Sequence, residues 1–546
     1  MSLTKVTYSM IEGGLIYAKD YGVVGDGVAD DTVAWQAAAA AAEGKTLLAE
    51  PNQTYKLTGT IALEENTILN LQGSTMNFEI NGSIKCLQAN NFCTITNGKI
   101  KNFGTTLNIN GVFQCPIVME SKHNVIISNM IVDSDWVQGA GIFALGESYD
   151  IIIENIEIPN NSQMNCPISA EWTGDTTLTH HPHNIVIRNL TCNTLRTDSV
   201  ILYFSAAYNI TVENVNALRC GTGITWYGGD YTNMYADPVI SHLIGTGLIV
   251  KNVTCPNVFG AGIDCRGQSF NPNIVTPPTV AINLRGRFES CDFWAQSTSQ
   301  SLFSAAKLEY VFGIEIVSCK FRRFLTGINS STDCYNVYIL NCHFQLIYEN
   351  GIFCSFSSPS TGQPTGWVID SNVFEQCNTQ ESNSFNNAAV LIGTSKSICL
   401  SNNIFGDPNN AETTRYAIYV TDTALYPVLL NNFVVNLNNA NTAYVIGSAA
   451  TSYDINARGD GNACLPLNVA SQPITGFFNA PIFSNLNGIR SGIASQDALP
   501  TTGTWNTGDK LYLRAPTSTI LGYVCTTAGT GNTGSGGTAV WRNITA

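Results

Sequence analysis

A short phrase recurs along this chain from about residue 120 to 435: alternating apolar residues, then Asn or Cys, then another apolar residue. Its instances are NVIISNMIV, YDIIIENIEI, HNIVIRNL, YNITVENV, GLIVKNV, IEIVSCKF, VYILNCHF, WVIDSNVF, ICLSNNIF and VLLNNFV. The markers are Asn129, Asn155, Asn189, Asn214, Asn252, Cys319, Cys342, Asn372, Asn403 and Asn432, with Cys291 filling the gap after Asn252. A second phrase, a small residue and then alternating residues, precedes most of them: GIFAL at 141, ISAEW at 168, VILYF at 200, GITWY at 223 and GIDCR at 262. Alternation with one side always apolar makes half-buried strands, and a constant marker at roughly 25–35 residues stacks them coil on coil. The predicted fold class is all-β, a parallel β-helix, with the Asn and Cys markers forming an internal ladder at a turn.

Composition agrees. Only 12% of the 546 residues are charged, and Gly, Asn, Ser and Thr fill the balance, which excludes helical bundles. A net charge of −14 argues against a nucleic-acid partner, since phosphate backbones need basic stripes. The N-terminus has no apolar core of signal-peptide length and no stretch of eighteen apolar residues occurs, so neither export by the usual route nor membrane insertion is expected. The seventeen cysteines lack CxxC spacing and are expected to be reduced, buried small hydrophobes; no metal or cofactor is implied.

Residues 30–43 are the one clear helix, with Asp30 or Asp31 as N-cap, and such a helix suits the plugging of an open β-helix end. Asp26, Asp30 and Asp31 are read as turn and cap residues. The expected domains are a connector at 1–18, the β-helix at 19–454, and a C-terminal β-rich module at 455–546 for trimerisation or glycan binding.

Aligning the second phrase puts Ile142, Ile168, Val200, Ile224 and Ile263 inward. The first outward column then reads Phe143, Ser169, Ile201, Thr225 and Asp264, and the second Leu145, Glu171, Tyr203, Tyr227 and Arg266. Acids, an arginine and tyrosines together compose a sugar-binding groove: rings face the C–H sides of pyranoses, while carboxylates and Arg satisfy hydroxyls or anionic groups. Tyr203, Tyr227, Arg266, Trp172 and His181 are the expected substrate-binding residues.

Glycoside hydrolysis needs two carboxyl groups roughly 5–9.5 Å apart. Glu171 and Asp264 lie three coil steps apart, about 14 Å, too far to act directly as a pair. Asp264 is the expected catalytic carboxylate, partnered by Asp230 or Asp237 from the loop YGGDYTNMYADPVISHLIG. A Glu171 and Asp198 pair, or acids from two subunits, are the open alternatives. His180, His181 and His183 in LTHHPHN fit a turn between coils, with a metal cluster or a lyase base as the other reading. Arg266, Arg285 and Arg287 suit an acidic sugar or ordinary surface pairs.

The stretch AKDYGVVGDGVADDTVAWQAA resembles the opening motif of the pectate-lyase-like β-helix superfamily, as found in bacteriophage tailspikes with capsule-depolymerising activity. The coil repeat extends the resemblance over roughly residues 20–450, and KVTYSMIEGG and WNTGDKLYLRAPTSTILGYVCTTAGT are similar to segments that flank the β-helix in tailspikes. The resemblance implies a right-handed, single-stranded β-helix and a homotrimer. It also implies a virion protein that is assembled in the host cytoplasm, acts outside the cell, and binds and cleaves bacterial surface polysaccharide. Almost nothing precedes the β-helix, so the resemblance implies a virion anchor that is absent, very short, or supplied by another virion protein at the N-terminus. Endo-glycosidic hydrolysis is the leading expectation, with a polysaccharide lyase or a non-catalytic glycan-binding adhesin as alternatives on the same fold.

Overall fold

The computed structural model describes residues 14–80, 84–103, 114–135, 139–160, 162–172, 181–193, 195–228, 244–267, 284–296, 303–330, 334–355, 363–377, 388–406 and 417–421, then shorter stretches to 545. The chain divides into two compact units, Met1–Gln296 and Ser297–Ala546, a boundary that falls inside the coil repeat.

In the first unit the expected coils are present. Long strands, among them His123–Ser134, Tyr149–Ile158, His183–Cys192, Tyr208–Ala217 and Thr246–Val258, pair in parallel in chain order. Short strands Ile84–Gln88, Gln114–Glu120, Ala140–Leu145, Cys166–Glu171, Val200–Ser205, Thr222–Tyr227 and Ile263–Arg266 form a second parallel sheet, here the front sheet. Parallel neighbours joined through a strand on another face make a β-helix, and the right-handed twist of strands makes the coil right-handed. Period-2 alternation decides the inside: Ile151, Ile153, Ile156 and Ile158 are buried while Asn155 is exposed.

The marker ladder is internal in only part of the chain. From Asn129 to Asn252 each marker is itself the left-handed corner, with φ between 54° and 58°, and its side chain lies on the outside. These amides still stack: Asn155 donates to Asn129 (3.0 Å), Asn189 to Asn155 (2.9 Å), Asn214 to Asn189 (3.2 Å) and Asn252 to Asn214 (3.1 Å). From Cys291 onward the corner moves one residue earlier, to Ser290, Ser318, Asn341, Ser371 and Asn402. Side chains alternate along the strand, so this step turns Cys291, Cys319, Cys342, Asn372 and Asn403 inward, where all are buried. Asn tolerates the left-handed region because its short polar side chain bonds locally, which explains why it dominates the outer set.

Inside the second unit, Asn403 Nδ2 donates to Asn432 Oδ1 and Ile369 O, both at 2.9 Å, and its Oδ1 accepts from the Asn372 backbone N–H and Nδ2. Removing that amide strands several buried polar groups, so Asn403→Ala should cost about 2–3 kcal/mol. Asn155→Ala on the outer ladder should cost about 1 kcal/mol, the penalty of a left-handed alanine. Denaturant melts of the two variants check this ordering, and equal losses would refute it.

The glycine of the second phrase serves close packing. Phe344, Phe374 and Phe405 stack at 4.8 Å spacings inside the second unit, and a Cβ on Gly351 would come within 2.6 Å of the Phe374 ring.

The N-terminal helix is Thr32–Ala40, with Trp35, Ala38 and Ala39 buried and Trp35 edge-on to Tyr55 at 5.0 Å. Asp30 accepts from the Thr32 N–H (3.0 Å), capping the helix, while the Asp31 carboxylate binds the Val24 and Gly25 N–H groups at 2.7 and 3.0 Å. Asp26 accepts from Val28 and Ala29, which lowers its pKa. All three aspartates are thus turn and cap residues. Near the C-terminus, Lys510–Tyr512, Ile520–Thr527 and Val540–Thr545 pair antiparallel beside a small core of Trp505, Cys525 and Ala539, against which Trp541 packs. The described cysteines are free and nearly all buried, and Cys220 and Cys255 share a sulfur–sulfur hydrogen bond at 3.3 Å instead of a disulfide.

Candidate functional site: the front sheet of the first unit

Register across the front sheet defines its outward columns rung by rung. The first reads Val118, Phe143, Ser169, Tyr203, Thr225 and Asp264. The second reads Glu120, Leu145, Glu171, Ser205, Tyr227 and Arg266. Successive rungs are about 4.8 Å apart. Inside the same strands Ile142, Ile168, Leu202, Ile224 and Ile263 stack, fully buried or nearly so.

One sequence assignment is corrected here. The expected inward residue Val200 is displaced by Leu202, which pairs with Ile168, so Tyr203 stands beside Ser169 in the first column. Ser205, not Tyr203, follows Glu171 in the second. A slip of two residues preserves the in-and-out alternation, and VILYFS is apolar enough on both faces to hide it.

Two of the expected acids lie on this face. Glu171 ends its strand next to the interior, accepts a hydrogen bond from Ser169 Oγ, and has its pKa raised, because burial disfavours the charged form more than the Ser169 bond favours it. Asp264, only 8% exposed, is gripped by Arg266 in a fork, Nε to Oδ1 at 2.8 Å and Nη2 to Oδ2 at 2.6 Å. The two lie three rungs apart, about 14 Å, as the sequence spacing implies. Tyr227 adjoins Arg266 and Tyr203 lies two rungs from Asp264; both tyrosines are half-buried.

Other expected site residues are placed differently. Asp198 sits on the turn before Val200–Ser205, at the opposite end of that strand from Ser205, the rung neighbour of Glu171; it is ion-paired to Arg196 and mostly exposed. The Glu171 and Asp198 pair is therefore not formed. Trp172 and His181 are 5% and 2% exposed and stack on each other at 5.1 Å, so they hold together the two ends of segment 173–180 instead of offering ring faces to a glycan. Burial of a flat apolar ring against a neighbouring coil outweighs its display. His183 belongs to the long-strand sheet, in a column with Tyr149 and Tyr208 at 5.0 and 4.6 Å. Arg285 and Arg287 lie on Leu284–Glu289, which pairs into the long-strand sheet and not into the front sheet that carries Arg266. Asp230, Asp237 and His180 lie outside the described residues.

Sequence reasoning passed over Glu120. It ends the strand Gln114–Glu120, two rungs before Glu171 in the same outward column, and forms an ion pair with Lys85. Its strand lacks the leading glycine of the second phrase; the signal available was VMESK, where an alternating strand runs into the NVIISN phrase. Among the described residues, no group of three or more His, Cys, Asp or Glu side chains is arranged to hold a metal.

No protein-family profile matches this chain, and no curated protein matches it. Similar solved structures include the Dettilon tailspike protein, at 16% identity and a TM-score of 0.45, over 74% of this chain and 68% of that one. A tailspike protein mutant of E. coli bacteriophage HK620 is similar at 14% identity and TM-score 0.46, over 83% and 79%. The N-terminal fragment of bacteriophage Phi29 gene product 12 is similar at 12% identity and TM-score 0.47, over 88% and 76%. The architecture of this chain rests on its own strand register, and its chemistry on its own residues.

Proposed function

We propose that the front sheet of the first unit binds a bacterial surface polysaccharide, capsular or otherwise, and cleaves it by endo-glycosidic hydrolysis, the role of a tailspike depolymerase in a virion. The observation that carries this is Glu171, a carboxylic acid whose burial favours the protonated form, on the same outward face as Tyr203, Tyr227 and the Asp264–Arg266 fork. A carboxyl that burial helps to keep its proton is what a glycosidic oxygen needs from a general acid. In this reading Glu171 is the acid, while Asp264, Arg266, Tyr203 and Tyr227 hold a distal part of the chain. The Asp264 and Arg266 fork suits hydroxyls or an anionic substituent.

Elimination by a lyase draws less support, since it needs a base and a cation at one uronate. The described histidines near this region are either buried against Trp172 or stacked in the long-strand sheet. Mass spectrometry of the products separates the readings: water added for hydrolysis, water eliminated for a lyase, and no release for an adhesin. Purified capsular and O-antigen polysaccharides form the test panel, and binding without release of reducing ends would overturn the enzyme.

The same reading carries a homotrimer, with residues from about 455 onward as the assembly module, because coil contacts within a solenoid are nearest-neighbour. Sedimentation of the intact chain at micromolar concentration should give three copies, and truncation before the module should release monomers. A monomeric intact chain would refute it.

A further inference from the structure

We propose that Glu120 is the second catalytic carboxylate and acts with Glu171 across the Leu145 rung as an inverting pair. The inference rests on the reading that this face hydrolyses glycan and names the missing partner of its acid.

Register carries the argument. Glu120 pairs with Leu145 and Leu145 with Glu171, all on the outward side of adjacent strands, so the two glutamates leave the same face of the sheet two rungs apart. Two rung spacings put about 9.6 Å between their backbones, just beyond the 6.5–9.5 Å that separates the carboxyl groups of an inverting pair, so the two side chains need lean only slightly toward the Leu145 rung to hold one water between them. Adjacent rungs, at about 4.8 Å, would instead give the closer spacing of a retaining pair. The rung between them holds Leu145, an apolar, half-buried floor packed on Cys115, Val118, Ala140 and Phe143. It offers a surface to the C–H side of a sugar ring and no charge to compete for the water.

The other described acids on or next to the neighbouring front-sheet strands fail on position. Asp264 is three rungs from Glu171 on the far side, Asp198 is at the other end of its strand, and Glu147 lies beyond the left-handed Gly146 corner that ends the Leu145 strand. The two members also differ in setting, as acid and base must: Glu171 is tucked beside Ser169, while Glu120 is exposed and ion-paired with Lys85.

The step balances. Glu120 takes a proton from water as the water oxygen bonds to the anomeric carbon from one face. The bond from that carbon to the glycosidic oxygen breaks on the other face, and Glu171 gives its proton to the departing oxygen. One water is consumed, the new reducing end has inverted configuration, and solvent returns each carboxyl to its starting state.

The experiment uses the full-length chain on whichever purified polysaccharide of the panel the wild type cleaves. Proton NMR of the first-formed reducing ends should show inversion. Glu120→Gln should lower turnover by roughly 10²–10⁴-fold with glycan binding retained. Azide should rescue Glu120→Ala by yielding a glycosyl azide of inverted configuration, a product that a folding defect or a merely structural role would not give. Retention of configuration, or near-wild-type turnover of Glu120→Gln beside an inactive Glu171→Gln, overturns the pairing and leaves the hydrolase reading standing. Absence of cleavage by the wild type across the panel overturns both.

Discussion

Replacing Glu171 with Gln should lower polysaccharide turnover by roughly 10²–10⁴-fold while leaving glycan affinity nearly unchanged. The amide keeps the shape and still accepts the Ser169 hydroxyl, but it has no proton to give to a leaving oxygen. Burial raises the carboxyl of Glu171, with the Ser169 bond opposing, so the acid stays armed at pH values above the ordinary carboxylate range. Activity is then lost as pH rises through the raised value, the basic limb of the profile. Stability has the same sign. A folded pKa above the unfolded one contributes stability that is full below the unfolded pKa and lost as pH rises through the folded one. Glu171→Gln escapes that loss, so its melting temperature should exceed that of the wild type at pH 8 and match it near pH 4. Turnover within a few-fold of wild type, or no difference in melting between the two pH values, would remove Glu171 as the acid.

Asp264→Asn should lower kcat/KM on the order of 100-fold, chiefly through KM, because it unhinges a fork more than it removes a reacting group. In the wild type two parallel bonds fix the guanidinium of Arg266 one rung from Tyr227, and the Asp264 side chain is 11% exposed against 44% for that of Arg266. The fork therefore presents an oriented cation to solvent. With Asn in its place one of the two bonds is lost, since the amide NH2 cannot accept, the other loses its charge, and the plane is free to turn. Arg266→Lys should behave similarly, since an ammonium cannot form the fork. Kinetics on a defined oligosaccharide, with KM and kcat resolved, decide the matter. A fall of several orders of magnitude in kcat for Asp264→Asn, with Glu171→Gln still active, would move the reaction to Asp264 and to a partner such as Asp230 or Asp237.

Much of this was legible in the residues themselves. Alternation of apolar and polar side chains is a local property, so the phrases ending in Asn129 through Asn432 determined that the chain winds in coils, and which side chains of each strand face out apart from the markers themselves. The placing of Asp264 and Arg266 together on an outward face followed from IDCR alone, where Ile263 and Cys265 must be inside. The Asp-rich opening segment likewise declared its turn and cap, because those bonds span only a few residues.

What the sequence could not determine is anything that counts residues between coils. Parity survives a slip of two, so only the packing of Leu202 between Ile168 and Ile224 decided that Tyr203 joins Ser169 and Asp264 rather than Glu171. The side on which a marker amide points depended on whether the left-handed corner fell on the marker or one residue before it, as at Asn252 and Cys291. Trp172 and His181 were taken out of the groove by each other, across a segment whose ends meet only in the folded chain. The column joining Glu120, Leu145 and Glu171 is likewise a product of stacking: a whole coil of chain separates each residue from the next, and the interior side chains of adjacent coils bring them into line.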